Sequence, residues 1–142
     1  MLEDYRKSTN FDYFCNGSGE EDIIYVEQIL NTKFSKSYVR FLKQYGSAGI
    51  GAFDVHGIQR HQDMSEFNWH IIDKTNFYKQ TQKLPDIDDW YVISDDGRGN
   101  PIGVDPQGVV WLSDHDSGFE KVKLADDFEE FLYKLLTDTL YE

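Results

Sequence analysis

The feature that most restricts the fold of this sequence is a series of four short β-prone runs in its second half. The runs are WYVIS, PIGVD, VVWLS and KVKLA, and stretches rich in Gly, Asp and Asn separate them. Between the second and third runs, DPQG has Asp, Pro and Gly at positions that a type I turn favours. We therefore predict a meander of short strands in which residues 101–105 and 109–113 form a hairpin.

A strongly amphipathic helix is predicted after these strands. The segment DDFEEFLYKLLTDTLYE begins with Asp126 and Glu129, which are spaced as a helix cap. Five apolar side chains then repeat at helical spacing on one face: Phe128, Phe131, Leu132, Leu135 and Leu136.

Two further helices are predicted in the first third of the chain. Ser18 and Glu21 form a capping-box pattern before the first of them. Its apolar residues at helical spacing are Ile23, Val26 and Leu30. Ser35 is placed to cap the second helix, and Gly46 is suited to end it. The apolar stripe of that helix consists of Tyr38, Phe41, Leu42 and Tyr45.

The remaining segments are less regular. A short helix is predicted for residues 1–14, and a strand bounded by glycines is predicted for residues 50–58. A further helix is predicted for residues 68–82, and Pro85 stops it. Helices and strands thus occur in separate runs, which favours an α+β fold with helices packed on a largely antiparallel sheet. The length of 142 residues fits a single domain, which we assign to residues 1–142.

Composition limits the class of partner. The formal net charge is −12, so nucleic-acid phosphates would repel the chain and direct binding to them is not expected. Such charge serves either solubility or attraction to a basic protein. The single cysteine, Cys15, excludes an intrachain disulfide and suits a reducing compartment. The polar N-terminus and the lack of a long apolar run predict a cytoplasmic protein without membrane contact.

The stretch from residue 94 to residue 118 contains many groups that could carry chemistry. Gly97, Gly99 and Gly103 miss the spacing of the dinucleotide fingerprint and precede a strand rather than a helix. The carboxylates lack the spacing of a calcium loop, and His115 lacks a histidine at metal-ligand spacing. No nucleophile motif such as G-x-S-x-G occurs. We therefore predict no catalytic residue, no metal and no cofactor.

Two chemical alternatives stay open at this point. One is a metal-dependent hydrolase that uses His115 and Asp116. The other is a weak cation site among nearby oxygen ligands, namely Asp95, Asp96, Asn100 and Asp105. Both compete with a simpler interpretation, because Asp and Gly residues in such stretches commonly form turns.

Three stretches carry a family resemblance by their order and spacing. EQILNTKFSKSYVRFLKQYGSAGIG has a Glu-containing helix, then a Tyr…Phe-Leu helix and a Gly-rich turn. ISDDGRGNPIGVDPQGVVWLSDHDSG is a Gly-rich meander, and LADDFEEFL opens a closing helix. Over about residues 20–137 the chain resembles the SUKH superfamily, the Smi/Knr-type domain. It departs from the usual pattern at Phe34-Ser35, where Leu-Pro is common, and at Tyr45, where Asn is common.

The resemblance implies an α+β fold with a mixed, largely antiparallel sheet flanked by helices, and it implies no catalysis. Many bacterial members are immunity proteins that neutralise polymorphic or contact-dependent toxins, often nucleases. We therefore predict a bacterial immunity protein, an antitoxin that binds a cognate toxin whose domain is basic. The alternative is a general interaction module of the Smi/Knr type, acting in cell-wall or signalling regulation without a toxin partner.

Acidic residues between Pro85 and Gly118 far outnumber the one cation there, Arg98. They occur at predicted strand ends and turns, where side chains are usually exposed and could attract a basic partner. We predict that the partner-binding residues are Asp86, Asp88, Asp89, Asp95, Asp96, Asp114, His115 and Asp116.

Overall fold

The computed structural model describes residues 11–64, 69–81, 89–118 and 120–141, and within these ranges it has the predicted α+β architecture. The helices are α1 (Glu20–Leu30), α2 (Lys36–Gln44), α3 (Ile71–Thr81) and α4 (Phe128–Leu136). The strands are β1 (Tyr13–Phe14), β2 (Ala48–Ile50), β3 (Phe53–Val55), β4 (Tyr91–Asp95), β5 (Pro101–Val104), β6 (Val110–Asp114) and β7 (Glu120–Ala125).

The strands form two antiparallel sheets, ordered β1-β2-β3 and β4-β5-β6-β7. The predicted hairpin is confirmed, because β5 pairs with β6 and the Gly108 N–H donates to the Asp105 carbonyl at 2.9 Å. The parallel pairing found in the described ranges is an isolated bridge between Gly57 and His70. In the same ranges, no helix is long and apolar enough to cross a bilayer.

Two hydrogen bonds connect the sheets where β3 runs beside β4. The His56 N–H donates to the Ile93 carbonyl at 2.7 Å, and the Ser94 hydroxyl donates to the Asp54 carbonyl at 2.8 Å. These bonds satisfy backbone groups of the region between the sheets, which would otherwise be costly to bury. β4 ends one residue beyond Ser94, at Asp95.

The core is a cluster of aromatic and aliphatic side chains between the helices and the sheets. Every residue of the predicted stripes on α2 and α4 is buried, as the helical spacing predicted. Tyr38 lies at the centre, and its hydroxyl donates to the His56 carbonyl at 2.6 Å. Four rings have centroids 5.0–6.0 Å from that of Tyr38: Phe34, Phe41, Tyr91 and Phe128.

Helix ends follow the predicted chemistry in part. The Ser35 side chain accepts from the Tyr38 N–H at 3.4 Å, which confirms the α2 cap, and Gly46 has the expected positive φ of 75°. At α4 the cap lies one residue later than predicted, because the Asp127 carboxylate accepts from the Glu130 N–H at 2.8 Å.

Three predictions for the first part of the chain were wrong. The Ser18 capping box does not form, since α1 begins after Gly19 and the Ser18 hydroxyl is buried without a partner in the described residues. Residues 13–14 are a strand rather than the end of a helix, while residues 1–10 lie outside the described residues. Residues 50–58 do not form one strand, because the chain turns at Gly51 and pairs β2 with β3.

Gly57 lies against the backbone of the turn between α2 and β2. A Cβ at this position would lie 1.6 Å from the Gly46 carbonyl oxygen, whereas a Cβ at Gly19 would have no atom of the described residues within 4 Å. We expect Gly57→Ala to lower the free energy of unfolding by about 2–3 kcal/mol or more. Gly19→Ala is the control and should cost under about 1 kcal/mol. Urea denaturation of both variants checks this, and equal losses would contradict it.

Candidate functional site

The turn that follows β4 is built around the Asp96 carboxylate. This carboxylate accepts hydrogen bonds from the Arg98 N–H at 2.8 Å, the Asn100 N–H at 3.2 Å and the Asn100 side-chain amide at 2.8 Å. Gly97 and Gly99 have φ values of 78° and 83°, in the left-handed region that glycine tolerates best. The turn interpretation of these glycines is therefore confirmed.

Asn100 joins this turn to the one that follows β6. Its side chain is 2% exposed, and its carbonyl accepts from the His115 N–H at 2.9 Å and also contacts His115 Nδ1. In the second turn, the Asp114 carboxylate accepts from the Asp116 N–H at 2.9 Å, and His115 Nε2 lies 3.3 Å from the Asp116 carboxylate. The two turns therefore form one hydrogen-bonded unit.

A surface hollow of about 500 Å³ lies against this unit. We call it the acidic hollow. Its polar side chains are Asp96, Arg98, Asn100, Asp114 and Asp116, and its apolar lining consists of Ala52, Phe53, Leu112 and Tyr141. With three carboxylates and one guanidinium, the polar lining is net negative, which suits a basic protein surface rather than an anion.

Three of the predicted partner-binding residues thus come together in the acidic hollow, namely Asp96, Asp114 and Asp116. His115 does not line the hollow, but it contacts two residues that do. Its N–H donates to the Asn100 side chain, and its Nε2 lies 3.3 Å from the Asp116 carboxylate. Asp89 is exposed and is not among the lining residues. Asp86 and Asp88 lie outside the described residues.

Asp95 faces away from the hollow, toward α3. Its carboxylate lies 2.8 Å from Lys74 Nζ, and the Tyr78 hydroxyl donates to it at 3.3 Å. Burial is the largest single effect and raises the pKa of Asp95, but the hydrogen bond and charge of Lys74, together with the Gly97 N–H that donates to Asp95 at 3.0 Å, hold the pKa below its usual range. Asp95 is therefore committed to an ion pair that attaches α3 to β4.

Six lining residues of the hollow were missing from the predicted set: Ala52, Phe53, Arg98, Asn100, Leu112 and Tyr141. Phe53 follows the turn of the first sheet, and Tyr141 lies beyond α4, far from the acidic turns in sequence. Tyr141 is 67% exposed, and that exposure is visible only in the folded chain. The sequence signal that could have identified Arg98 is its position as the one cation within the acidic stretch.

The oxygen ligands considered for a weak cation site do not converge. Asp96 and Asn100 bond to each other, and Asp95 binds Lys74. Asp105 lies in the hairpin turn between β5 and β6, where it accepts from the Trp111 indole N–H at 2.9 Å. Within the described ranges, no group of three or more His, Cys, Asp and Glu side chains could hold a metal ion. Burial raises the pKa of the Cys15 thiol, which favours its unreactive protonated form.

A buried histidine lies behind the ion pair of Asp95. His56 Nδ1 is 3.2 Å from the Trp69 carbonyl, so it carries the proton, and Nε2 has no partner in the part of the chain that the structure describes. Burial and then the charge of Lys74 lower the pKa of His56 from 6.5 to about 4, against the weaker opposing effect of Asp95. His56 is therefore neutral in the folded chain near pH 7.

We expect the stability of the chain to fall on acidification because of His56. Between pH 6.5 and about pH 4 the unfolded chain binds a proton that folded His56 does not, so the free energy of unfolding decreases by up to about 3 kcal/mol as the pH falls through this window. His56→Gln keeps a donor for the Trp69 carbonyl and removes the titration. Urea denaturation at several pH values should show a shallower slope for this variant, and an unchanged slope would refute the assignment.

Asn100 should be essential to the shape of the hollow. Asn100→Ala leaves the His115 N–H without its acceptor and removes a donor from Asp96, so we expect a loss of about 1–3 kcal/mol in the free energy of unfolding. His115→Ala keeps the backbone N–H and removes a half-exposed ring, so it should cost less than about 1 kcal/mol. Chemical denaturation compares the two variants, and the opposite order would show that Asn100 does not join the turns.

Comparison with known protein families bears on the resemblance noted in the sequence. The family model SUKH_5, described as SMI1-KNR4 cell-wall, matches residues 1–137 and so includes both acidic turns. No curated protein matches the chain. SMI1-KNR4 is not a known enzyme family. The match covers nearly all of the 142 residues, and the chain therefore belongs to the SMI1-KNR4 family of the SUKH superfamily.

Proposed function

We propose that this chain is an immunity protein that binds a cognate bacterial toxin and blocks it stoichiometrically, without catalysis. The observation that carries the proposal is the acidic hollow, whose lining combines three carboxylates with apolar side chains. Membership of the SUKH superfamily supports it, because toxin neutralisation is a role that the superfamily resemblance implies.

Two of the three carboxylates of the hollow are suited to binding because the fold already holds them in place. Asp96 and Asp114 accept backbone hydrogen bonds within their own turns, and Asn100 ties the two turns together. Fixed side chains lose little conformational entropy when a partner binds, so more of the interaction energy appears as affinity. A partner with lysine or arginine side chains could meet these carboxylates without large rearrangement.

The charge of the whole chain favours a basic toxin. A nuclease domain has to attract phosphate, so its binding surface carries positive charge. At a net charge of −12, this chain would attract such a domain over several ångströms and accelerate encounter. The cytoplasm, where a nuclease reaches its substrate, is accordingly the proposed site of action.

The direct test uses the C-terminal domain of a toxin encoded beside the gene. Co-expression of this chain should restore growth of cells that produce the toxin domain, and the two purified proteins should form a complex of fixed stoichiometry. Failure of every neighbouring toxin domain to bind or to be neutralised would overturn the proposal. It would point instead to an interaction module with another partner.

Removing the carboxylates of the hollow should slow association. The variant Asp96→Asn, Asp114→Asn, Asp116→Asn loses three charges and keeps the oxygens that accept the backbone N–H groups in both turns. At Asp96 it also replaces the oxygen that accepts from the Asn100 side-chain amide, so circular dichroism must show that the variant is folded. We expect a roughly tenfold lower association rate constant with the toxin domain, and a similar fall for the unaltered chain between low and physiological salt. Surface plasmon resonance or stopped-flow fluorescence measures both.

A matched control separates local contact from overall charge. Asp12, Asp63 and Asp73 are exposed and lie outside the hollow, and changing all three to Asn alters the net charge by the same amount. If the hollow contacts the toxin, the control should retain most of the association rate. Equal slowing by both triple variants would exclude the hollow as the contact surface and leave only long-range attraction.

A further inference from the structure

The outward face of α1 carries large apolar side chains that the core does not use. Ile24 is 46% exposed, Tyr25 is 61% exposed and Ile29 is 51% exposed. On the opposite side of the same helix, Ile23 and Val26 are each only 2% exposed and belong to the core. The helix is therefore apolar on two faces, although burial against the core requires only one.

Helical geometry places the three exposed side chains on one continuous surface. Successive residues turn by about 100°, so positions 21, 24, 25, 28 and 29 fall within a sector of about 140°. We call the surface formed by Glu21, Ile24, Tyr25, Gln28 and Ile29 the α1 outer face. Isolated exposed apolar residues are ordinary, but three adjacent ones on one helix are typical of a binding surface.

The charge around this face restricts what could cover it. The sequence of α1 contains four carboxylates, Glu20, Glu21, Asp22 and Glu27, and no lysine or arginine. Glu27 accepts from the Phe34 N–H, and Glu20 lies 4.0 Å from Lys43 Nζ, so Glu21 and Asp22 are the acids at the exposed border. An apolar strip with an acidic border is complementary to a surface with apolar anchors among basic side chains.

Other occupants fit this charge less well. A second copy would bring another net charge of −12 to the same place, and like charges disfavour that contact. An anionic membrane surface would repel the acidic border in the same way. A basic amphipathic segment of a different protein is complementary to both, because its apolar side chains fit the strip and its basic side chains fit the acidic border.

We propose that the α1 outer face docks a basic amphipathic segment of the protein partner, with Tyr25 and Ile29 as its apolar anchors. This inference deepens the proposed function and rests on it for the identity of the partner. The acidic hollow would then attract and orient the toxin, while the α1 outer face would slow its dissociation. Apolar anchors of this kind chiefly affect the dissociation rate, whereas surface charges chiefly affect the association rate.

The first experiment compares two double variants in binding to the neighbouring toxin domain. Tyr25→Ser with Ile29→Ser should raise the dissociation constant at least tenfold, mainly through faster dissociation. Val122→Ser with Tyr133→Ser is the control, because these residues on β7 and α4 are 45% and 47% exposed and lose comparable apolar surface. The control should change binding less than twofold. Equal effects, or no effect of the α1 variant on a toxin that binds the unaltered chain, would overturn the inference and leave the proposed function intact.

The second experiment does not depend on a toxin. A 14-residue helical peptide of leucine and lysine, with leucines on one face, is titrated into isotopically labelled full-length chain. The peptide should shift the amide NMR signals of α1, and the shifts should disappear for the Tyr25→Ser, Ile29→Ser variant and for a peptide with glutamate in place of lysine. Shifts confined to other elements, or α1 signals that depend on protein concentration and so indicate a second copy, would overturn the inference.

The two experiments distinguish the two proposals. Absence of binding and rescue by every neighbouring toxin, together with α1 shifts caused by the peptide, would refute the immunity function and retain the docking surface. If this chain neutralises a toxin and the α1 variant binds that toxin as tightly as the unaltered chain, the immunity function is retained and the docking surface is refuted.

Discussion

The buried hydroxyl of Tyr38 donates to the backbone carbonyl of His56, and much of the architecture follows from this contact. The ring of Tyr38 extends from α2 and packs against Tyr91 on β4 and Phe128 on α4, while its hydroxyl satisfies the carbonyl of a buried residue. The N–H of His56 binds Ile93, so the same residue connects α2 to the second sheet through the first. Ser94 donates to the Asp54 carbonyl two residues before Asp96, so the acidic turn follows directly on this connection between the sheets.

The acidic turns show how one residue type can serve structure and binding together. Asp95 and Asp96 are adjacent, but successive side chains at a strand end point to opposite sides. Asp95 consequently pairs with Lys74 beneath the sheet, while Asp96 organises the turn that borders the hollow. Asp96 and Asp114 are held in place because their carboxylates also accept backbone hydrogen bonds. These local hydrogen bonds give the acidic side chains defined positions at the surface.

Local patterns in the sequence predicted the elements whose causes are local. The stripes of α2 and α4, the Ser35 cap and the Asp105–Gly108 turn depend on residues a few positions apart, and all are present. The start of the chain was wrong because its cause is distant. Tyr13 pairs with Gly49 across the first sheet, and its ring lies where a Cβ at residue 49 would be only 2.1 Å away. Nothing near Tyr13 in sequence indicates that partner.

The sequence by itself determined the periodicity of the helices, the position of the turns and the net charge, because these depend on residue types and short spacings. Only the tertiary structure decided which acids meet. It placed Asp96, Asp114 and Asp116 around one hollow with Phe53 and Tyr141, and it turned Asp95 inward. It also decided that Ile23 and Val26 face the core while Ile24, Tyr25 and Ile29 face outward. The segment IIYV allows several rotations of the helix, and the packing of α1 against its neighbours selects one of them.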